Sequence, residues 1–321
     1  MKIKISLKSK WMRWIGIGIT AVSFVFLAKF LFSMHVDLFR LQHPALTVLL
    51  VVALAVCYVG VVYLSAAAWR LALNFISQTK IPFHDVFDIY VRANIAKYLP
   101  GNVMHFAGRN MLAQKLSFDQ VDVAFSTVLE VAALLVTAVI WSAVLSFQSF
   151  LSMITDLSRK SGMYLYIVIG VLILLVAAAC LILRKKGLLK KYRRFFTPAF
   201  ARLLPKLFLL YSLTMMIPGG FLSVFLGALG VSLTPTLLLN VIASYMISWV
   251  AGYVVIGSPG GIGVRESVMV LLLGPFCGND IALLAALLLR VASAFGDGAA
   301  YALQQIWNNA RRHKSASDCE K

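Results

Sequence analysis

The chain has 321 residues, 61% of them hydrophobic and only 13% charged, with a formal net charge of +18 and a mean hydropathy of +0.88. A soluble domain needs far more polar surface than that, so soluble fold classes are excluded. Nucleic-acid binding goes with them, because no folded basic module fits between the apolar runs.

Taken in order, residues 1–13 carry Lys2, Lys4, Lys8, Lys10 and Arg13 and no acid. Apolar runs follow at 14–33, 45–66, 121–147, 163–183, 207–229, 236–257 and 279–306, each close to the roughly 20 residues that a bilayer core demands. The first run has no small-x-small cleavage site behind it and reads as a signal anchor. Run 262–276 is too short for a comfortable crossing, and 85–115 is mixed in character. The loop 184–206 holds nine Lys or Arg and no acid, and the tail 307–321 adds Arg311, Arg312 and Lys314. Basic flanks stay in the cytoplasm, so both termini and this loop are expected there, with an even number of crossings. That parity makes 85–115 enter and leave on the cytoplasmic side, and makes 262–276 cross thinly. The fold class is therefore all-α: one polytopic transmembrane domain over 14–306, about eight spans, with re-entrant or broken helices at Pro100–Gly101 and Pro259–Gly261. Topology accounts for most of the +18, and loop 184–206 is dense enough to touch anionic headgroups as well. The four cysteines have neither metal-ligand nor redox spacing. No cofactor and no metal are expected.

Ionised groups at membrane depth are costly and face partners or wet cavities. Here they are Lys97, Arg109, Glu130, Arg265, Glu266, Arg290 and Asp297. In "HDVFDIYVRANIAKYLPGNVMHFAGRNMLAQK", Asp85, Asp88 and Arg92 share a helix face, with Asp88 and Arg92 able to pair. Pro100–Gly101 stops that helix and Asn102 caps a second one. On the second helix Asn102, His105 and Arg109 form one polar stripe, while Val103, Phe106 and Met111 occupy the other faces. Such a hairpin gathers positive potential from its helix start, Lys97 and Arg109, which suits a phosphate. The alternative is a kinked helix whose cations pair with Glu130 or Asp297.

The stretch "GSPGGIGVRE" repeats the pattern. Pro259 ends a helix after Ser258, and Gly260, Gly261 and Gly263 permit a sharp turn and close approach. Glu266 suits the next helix's dipole and Arg265 opposes it, so Arg265 requires an acidic partner or a bound anion. Neither a phosphate-loop ending nor a dinucleotide fingerprint is present. Further along, "MIPGGFL" reads as a plain kink that breaks its span near the middle. In the last run Arg290 and Asp297 share a face, and Gly296, Gly298, Ala299 and Ala300 allow close packing. Two broken segments in matching places suggest a transporter built from repeats, parallel by the crossing count, with the symmetry left open.

"KYLPGNVMHFAGR", "SPGGIGVRE" and the arginine of "LLLRVASAF" resemble the lysylphosphatidylglycerol synthase transmembrane family, over about residues 14–306. The resemblance implies a flippase-like lipid translocase or lipid-handling protein. Carried over by motif, it marks Pro100, Gly101, Arg109, Pro259, Gly260, Gly261, Gly263, Arg265, Glu266 and Arg290. Only a short tail follows Trp307, so synthesis of a lysylated lipid through a soluble transferase domain is not expected.

The residues read for an anionic lipid site are these ten together with Lys97, Asn102, His105 and Ser258. Glu130 and Asp297 serve charge balance or proton coupling. The expected partner is an anionic membrane lipid or a polyprenyl-phosphate-linked lipid in the inner, cytoplasmic membrane, with a membrane glycosyltransferase as a candidate protein partner. The alternatives are an intramembrane enzyme acting on lipid phosphates, with His105 as acid or base and Arg109 and Arg265 as phosphate holders, and a scaffold for a glycosyltransferase.

Overall fold

The computed structural model describes residues 44–98, 104–114, 118–147, 195, 197–254, 261 and 263–319, with side chains through Arg311. The expected spans 14–33 and 163–183 lie outside these residues, as do the corners Pro100, Gly101 and Asn102 and Ser258, Pro259 and Gly260. Regular structure among the described residues is helical: α1 (Pro44–Ser77), α2 (Phe83–Ile95) with a short 3-10 turn (Ala96–Tyr98), α3 (Met104–Gln114), α4 (Gln120–Leu145), α5 (Pro198–Ala228), α6 (Pro235–Val254), α7 (Val264–Cys277) and α8 (Asn279–Cys319). Among the described residues, α1, α4, α5, α6 and α8 are long and apolar enough to cross a membrane.

These helices are apolar all round, which marks them as membrane spans. On α1, Val48, Leu49, Val52 and Val56 stand more than half exposed while Leu54, Ala66, Trp69 and Ala72 are sealed. Such an outer face is stable against lipid. α1 is central and packs on α8, α5 and α4. Its approach to α8 needs glycine, since a Cβ at Gly296 would lie 2.6 Å from Tyr58 Cβ and 2.9 Å from the Ala55 carbonyl oxygen.

Three expected boundaries move. The helix of run 207–229 begins at Pro198, inside the expected basic loop 184–206. Pro198 fits the first helical position, where no amide partner is lost, and Leu203 and Leu207 pack with Tyr211 and Ala68. The same helix runs unbroken through Pro218 and on to Ala228, so "MIPGGFL" does not break the span. Gly219 instead admits α6, because a Cβ there would come 3.3 Å from Ile242 Cα. Finally, α8 continues through the expected tail as far as Cys319.

Contacts along α8 give the direction of the other elements. Asp88 accepts from Asn308 (2.6 Å), Arg92 donates to Gln305 (3.2 Å) and Asn94 donates to Asp297 (2.6 Å), so α2 climbs into the bundle antiparallel to α8. Ile81, Ala113 and Val123 then join one core cluster, which places the start of α2 and the end of α3 at the same end of the bundle. α7 pairs with α8 from the other end, where Cys277 and Asn279 adjoin, and its Glu266 reaches Arg290. Arg290 is 11 residues into α8, about 16 Å from that end. The 14 residues of α7 cover about 21 Å. The helix of run 262–276 therefore reaches only part-way along the bundle, to the level of Arg290. Two helix pairs, α2–α3 and α6–α7, approach the middle from opposite ends. Along the bundle axis the two pairs are therefore inverted relative to one another, which answers the symmetry that the sequence leaves open.

Candidate functional site

Where those two pairs meet, a cavity of about 140 Å³ opens inside the bundle. That is room for several waters or a phosphate-sized group. Lys97, His105, Phe106, Arg109, Glu130, Arg265, Glu266 and Arg290 all line it. Residues 168 positions apart in sequence, Lys97 and Arg265, thus share one chamber. Of the expected stripe, His105 and Arg109 both face the cavity and Asn102 lies outside the described residues, while Phe106, assigned to another face, also faces the cavity; its ring centroid lies 3.8 Å from that of His105. A helix face about 100° wide is broad enough to hold all three.

Three carboxylates hold three of the lining cations. Asp297 on α8, 1% exposed, accepts from Asn94 Nδ2 (2.6 Å) and Tyr98 Oη (2.5 Å) and pairs with Lys97 Nζ (2.5 Å). One side chain thereby pins the tip of α2. Glu130 on α4 is paired with Arg109, and both are 3% exposed. It also accepts from Tyr90 Oη at 3.0 Å. The Arg109 guanidinium lies over Tyr90 (4.2 Å to the ring centroid) and Trp69 (5.0 Å), and Trp69 in turn donates to Ser126 Oγ at 3.0 Å. Glu266 receives the Gly263 N–H on Oε2 (2.7 Å) and Arg290 Nε on Oε1 (3.1 Å). The start of α7 therefore does not present a bare Gly263 amide to a ligand, because the glutamate three residues on closes over it.

Arg265 is different. It forms no ion pair among the described residues, and its buried Nε has no hydrogen-bond partner. Its guanidinium sits 5.4 Å from the Trp249 ring centroid. Glycines make the room: a Cβ on Gly252 would overlap Arg265 Cγ and lie 2.7 Å from Nε, and one on Gly261 would also lie 2.7 Å from Nε. Gly261 and Gly263 have φ of +74° and +85°, where a side chain is strained. Gly261 and Gly263 of "SPGGIGVRE" thus serve the turn, and Gly261 with Gly252 the seating of Arg265.

Other lining groups escaped the sequence reading: Tyr58, Ser65, Asn94, Tyr245, Trp249 and Tyr253. Periodicity could have found them. Tyr245, Trp249 and Tyr253 recur every fourth residue on α6, and Tyr58 and Ser65 lie seven apart on α1, each pattern marking one helix face. Among the described residues no group of three or more His, Cys, Asp or Glu is placed to hold a metal.

The family description "lysylphosphatidylglycerol synthase TM region" matches residues 13–299, nearly the whole chain. The chain belongs to this family. No curated protein and no solved structure matches it. As a member of the lysylphosphatidylglycerol synthase transmembrane family, it is an integral membrane protein, and Arg109, Arg265, Glu266 and Arg290 from the motifs that carry the resemblance line the cavity just described.

Proposed function

We propose that this protein translocates an anionic lipid between the leaflets of the cytoplasmic membrane, passing the headgroup through the cavity while the acyl chains remain in lipid. One observation carries the reading: four cations from four separate elements line one chamber deep in an apolar bundle. A phosphate head needs such a wet, cationic path, because an anion in hydrocarbon is prohibitively costly. Helix pairs entering from opposite ends are the arrangement in which two gates can open alternately around a fixed site. On this reading α2–α3 is a re-entrant hairpin from the cytoplasmic side, with both termini cytoplasmic. Glu130 and Asp297 balance charge or carry a coupled proton.

A phospholipid and a polyprenyl-phosphate-linked lipid are both candidates for the cargo. Purified protein in liposomes with fluorescent phosphatidylglycerol, or with labelled polyprenyl phosphate, tests this: leaflet exchange should accelerate with protein density. Exchange no faster than in empty liposomes for both lipids refutes it.

His105 supports a second reading. It is 8% exposed, lines the cavity and has an unpartnered Nδ1, which is what an intramembrane acid or base acting on a lipid phosphate needs. Recovery of chemically altered lipid from the same liposomes would favour it.

A further inference from the structure

We infer that the cavity selects headgroups of net negative charge, and that Arg265 makes the selection. The inference rests on reading the cavity as a headgroup site and fixes the charge of what it takes. Four cations line the chamber, and three carboxylates are committed to three of them: Asp297 to Lys97, Glu130 to Arg109 and Glu266 to Arg290. Among the described residues that leaves one net positive charge, and it belongs to Arg265.

An arginine is expensive to bury without a counter-charge, and here packing holds it in place. Gly252 and Gly261 are cut back to receive its stem, and Trp249 lies against its guanidinium. A phosphate oxygen pair matches the guanidinium fork and supplies the missing charge. His105 Nδ1 is a second buried atom in the same chamber without a partner. An ammonium headgroup meets the opposite situation. Every carboxylate at the cavity already accepts from its own cation, so an added amine finds no free acid and meets surplus positive charge. Headgroups with one phosphate and no ammonium group are accepted, and ammonium-bearing headgroups, aminoacylated or quaternary, are refused.

Thermal unfolding of the full-length protein in dodecyl maltoside micelles tests this, with phosphatidylglycerol, lysyl-phosphatidylglycerol, phosphatidylcholine and inorganic phosphate added separately. Phosphatidylglycerol should raise the midpoint saturably, and the two ammonium-bearing lipids should not. Arg265→Gln should raise the half-saturating phosphatidylglycerol concentration by about tenfold to a hundredfold, the loss of one charge-assisted contact, and Arg265→Lys should recover part of it. Equal stabilisation by phosphatidylglycerol and its lysylated form overturns the inference even if Arg265→Gln fails to fold. So does a wild-type response in a folded Arg265→Gln. Inorganic phosphate matching phosphatidylglycerol at equal concentration overturns a lipid ligand in favour of a free anion. Selective binding without accelerated leaflet exchange would sink translocation and leave the charge selection standing.

Discussion

Replacing Asp297 with Asn changes almost no volume and removes the charge on which the tip of α2 depends. The carboxylate accepts from Asn94 and Tyr98 and pairs with Lys97. Breaking a buried pair from one side costs about 3–5 kcal/mol, because the surviving charge stays desolvated. Lys97 is 21% exposed and can draw on cavity water, which brings that cost towards about 2–3 kcal/mol. An asparagine also offers one acceptor oxygen where two were used, losing one further hydrogen bond of about 1 kcal/mol. The expected loss is therefore about 3–4 kcal/mol. Unfolding by added SDS in mixed micelles, followed by tryptophan fluorescence, measures it. Pairing the change with Lys97→Met removes the stranded charge, so the double variant should recover about 1–2 kcal/mol relative to Asp297→Asn alone. A single variant within about 1 kcal/mol of wild type, or a double variant no better than the single, would show that the ion pair is not what holds α2 to α8.

Gly296→Ala should destabilise by about 1–3 kcal/mol, since its Cβ meets Tyr58 and the Ala55 backbone, whereas Gly220→Ala, with nothing within 4 Å, should be neutral or gain up to about 1 kcal/mol. The same SDS titration compares them, and equal effects would contradict the close α1–α8 approach. Gly252→Ala should displace Arg265 and raise the half-saturating phosphatidylglycerol concentration at least about tenfold, checked by lipid-dependent thermal shifts; an unchanged value would mean that the glycine cradle does not position the guanidinium. In a cysteine-free background, Ser293→Cys in the cavity wall should react with a charged methanethiosulfonate reagent, whereas a cysteine kept at position 57, exposed on an apolar face of α1, should not. Equal protection of both from the reagent would mean that the chamber is dry.

Much of this organisation was legible in the sequence because the bilayer enforces it. Runs of apolar residues near span length have few folded alternatives to a membrane helix, and α1, α4, α6 and α8 begin within two residues of where those runs begin. The charged site residues were legible for the same reason: Lys97, Arg109, Glu130, Arg265, Glu266, Arg290 and Asp297 are too costly at that depth to be incidental. Their pairing was not. Glu130 is 21 residues from Arg109, but Asp297 is 200 from Lys97, and only the tertiary fold brings α8 beside the tip of α2. The continuous helix through Pro218 was missed because proline and glycine carry a helix-breaking cost in water that neighbouring helices offset in a bundle. The relative direction of the two helix pairs stays open in the sequence because α7 reaches only part-way along α8, and a crossing count sees length without depth.

The pairing also separates two roles that the sequence could only group together. Lys97, Arg109 and Arg290 are each matched by a carboxylate from another helix or from α7, and those matches join α2 to α8, α3 to α4 and α7 to α8. If a ligand phosphate drew any of these cations away, it would loosen the corresponding helix contact, so occupation of the cavity and movement of the hairpins are linked by the same ions. Arg265 joins no helices through an ion pair among the described residues; it packs against Gly252 and Trp249 of α6. It can bind an anion without breaking a pair, which on the proposed reading suits it to first contact. A carrier needs its cargo to alter the balance between two arrangements, and only differential contacts can do that. On the proposed reading, three ion pairs around an arginine unpaired among the described residues would provide them.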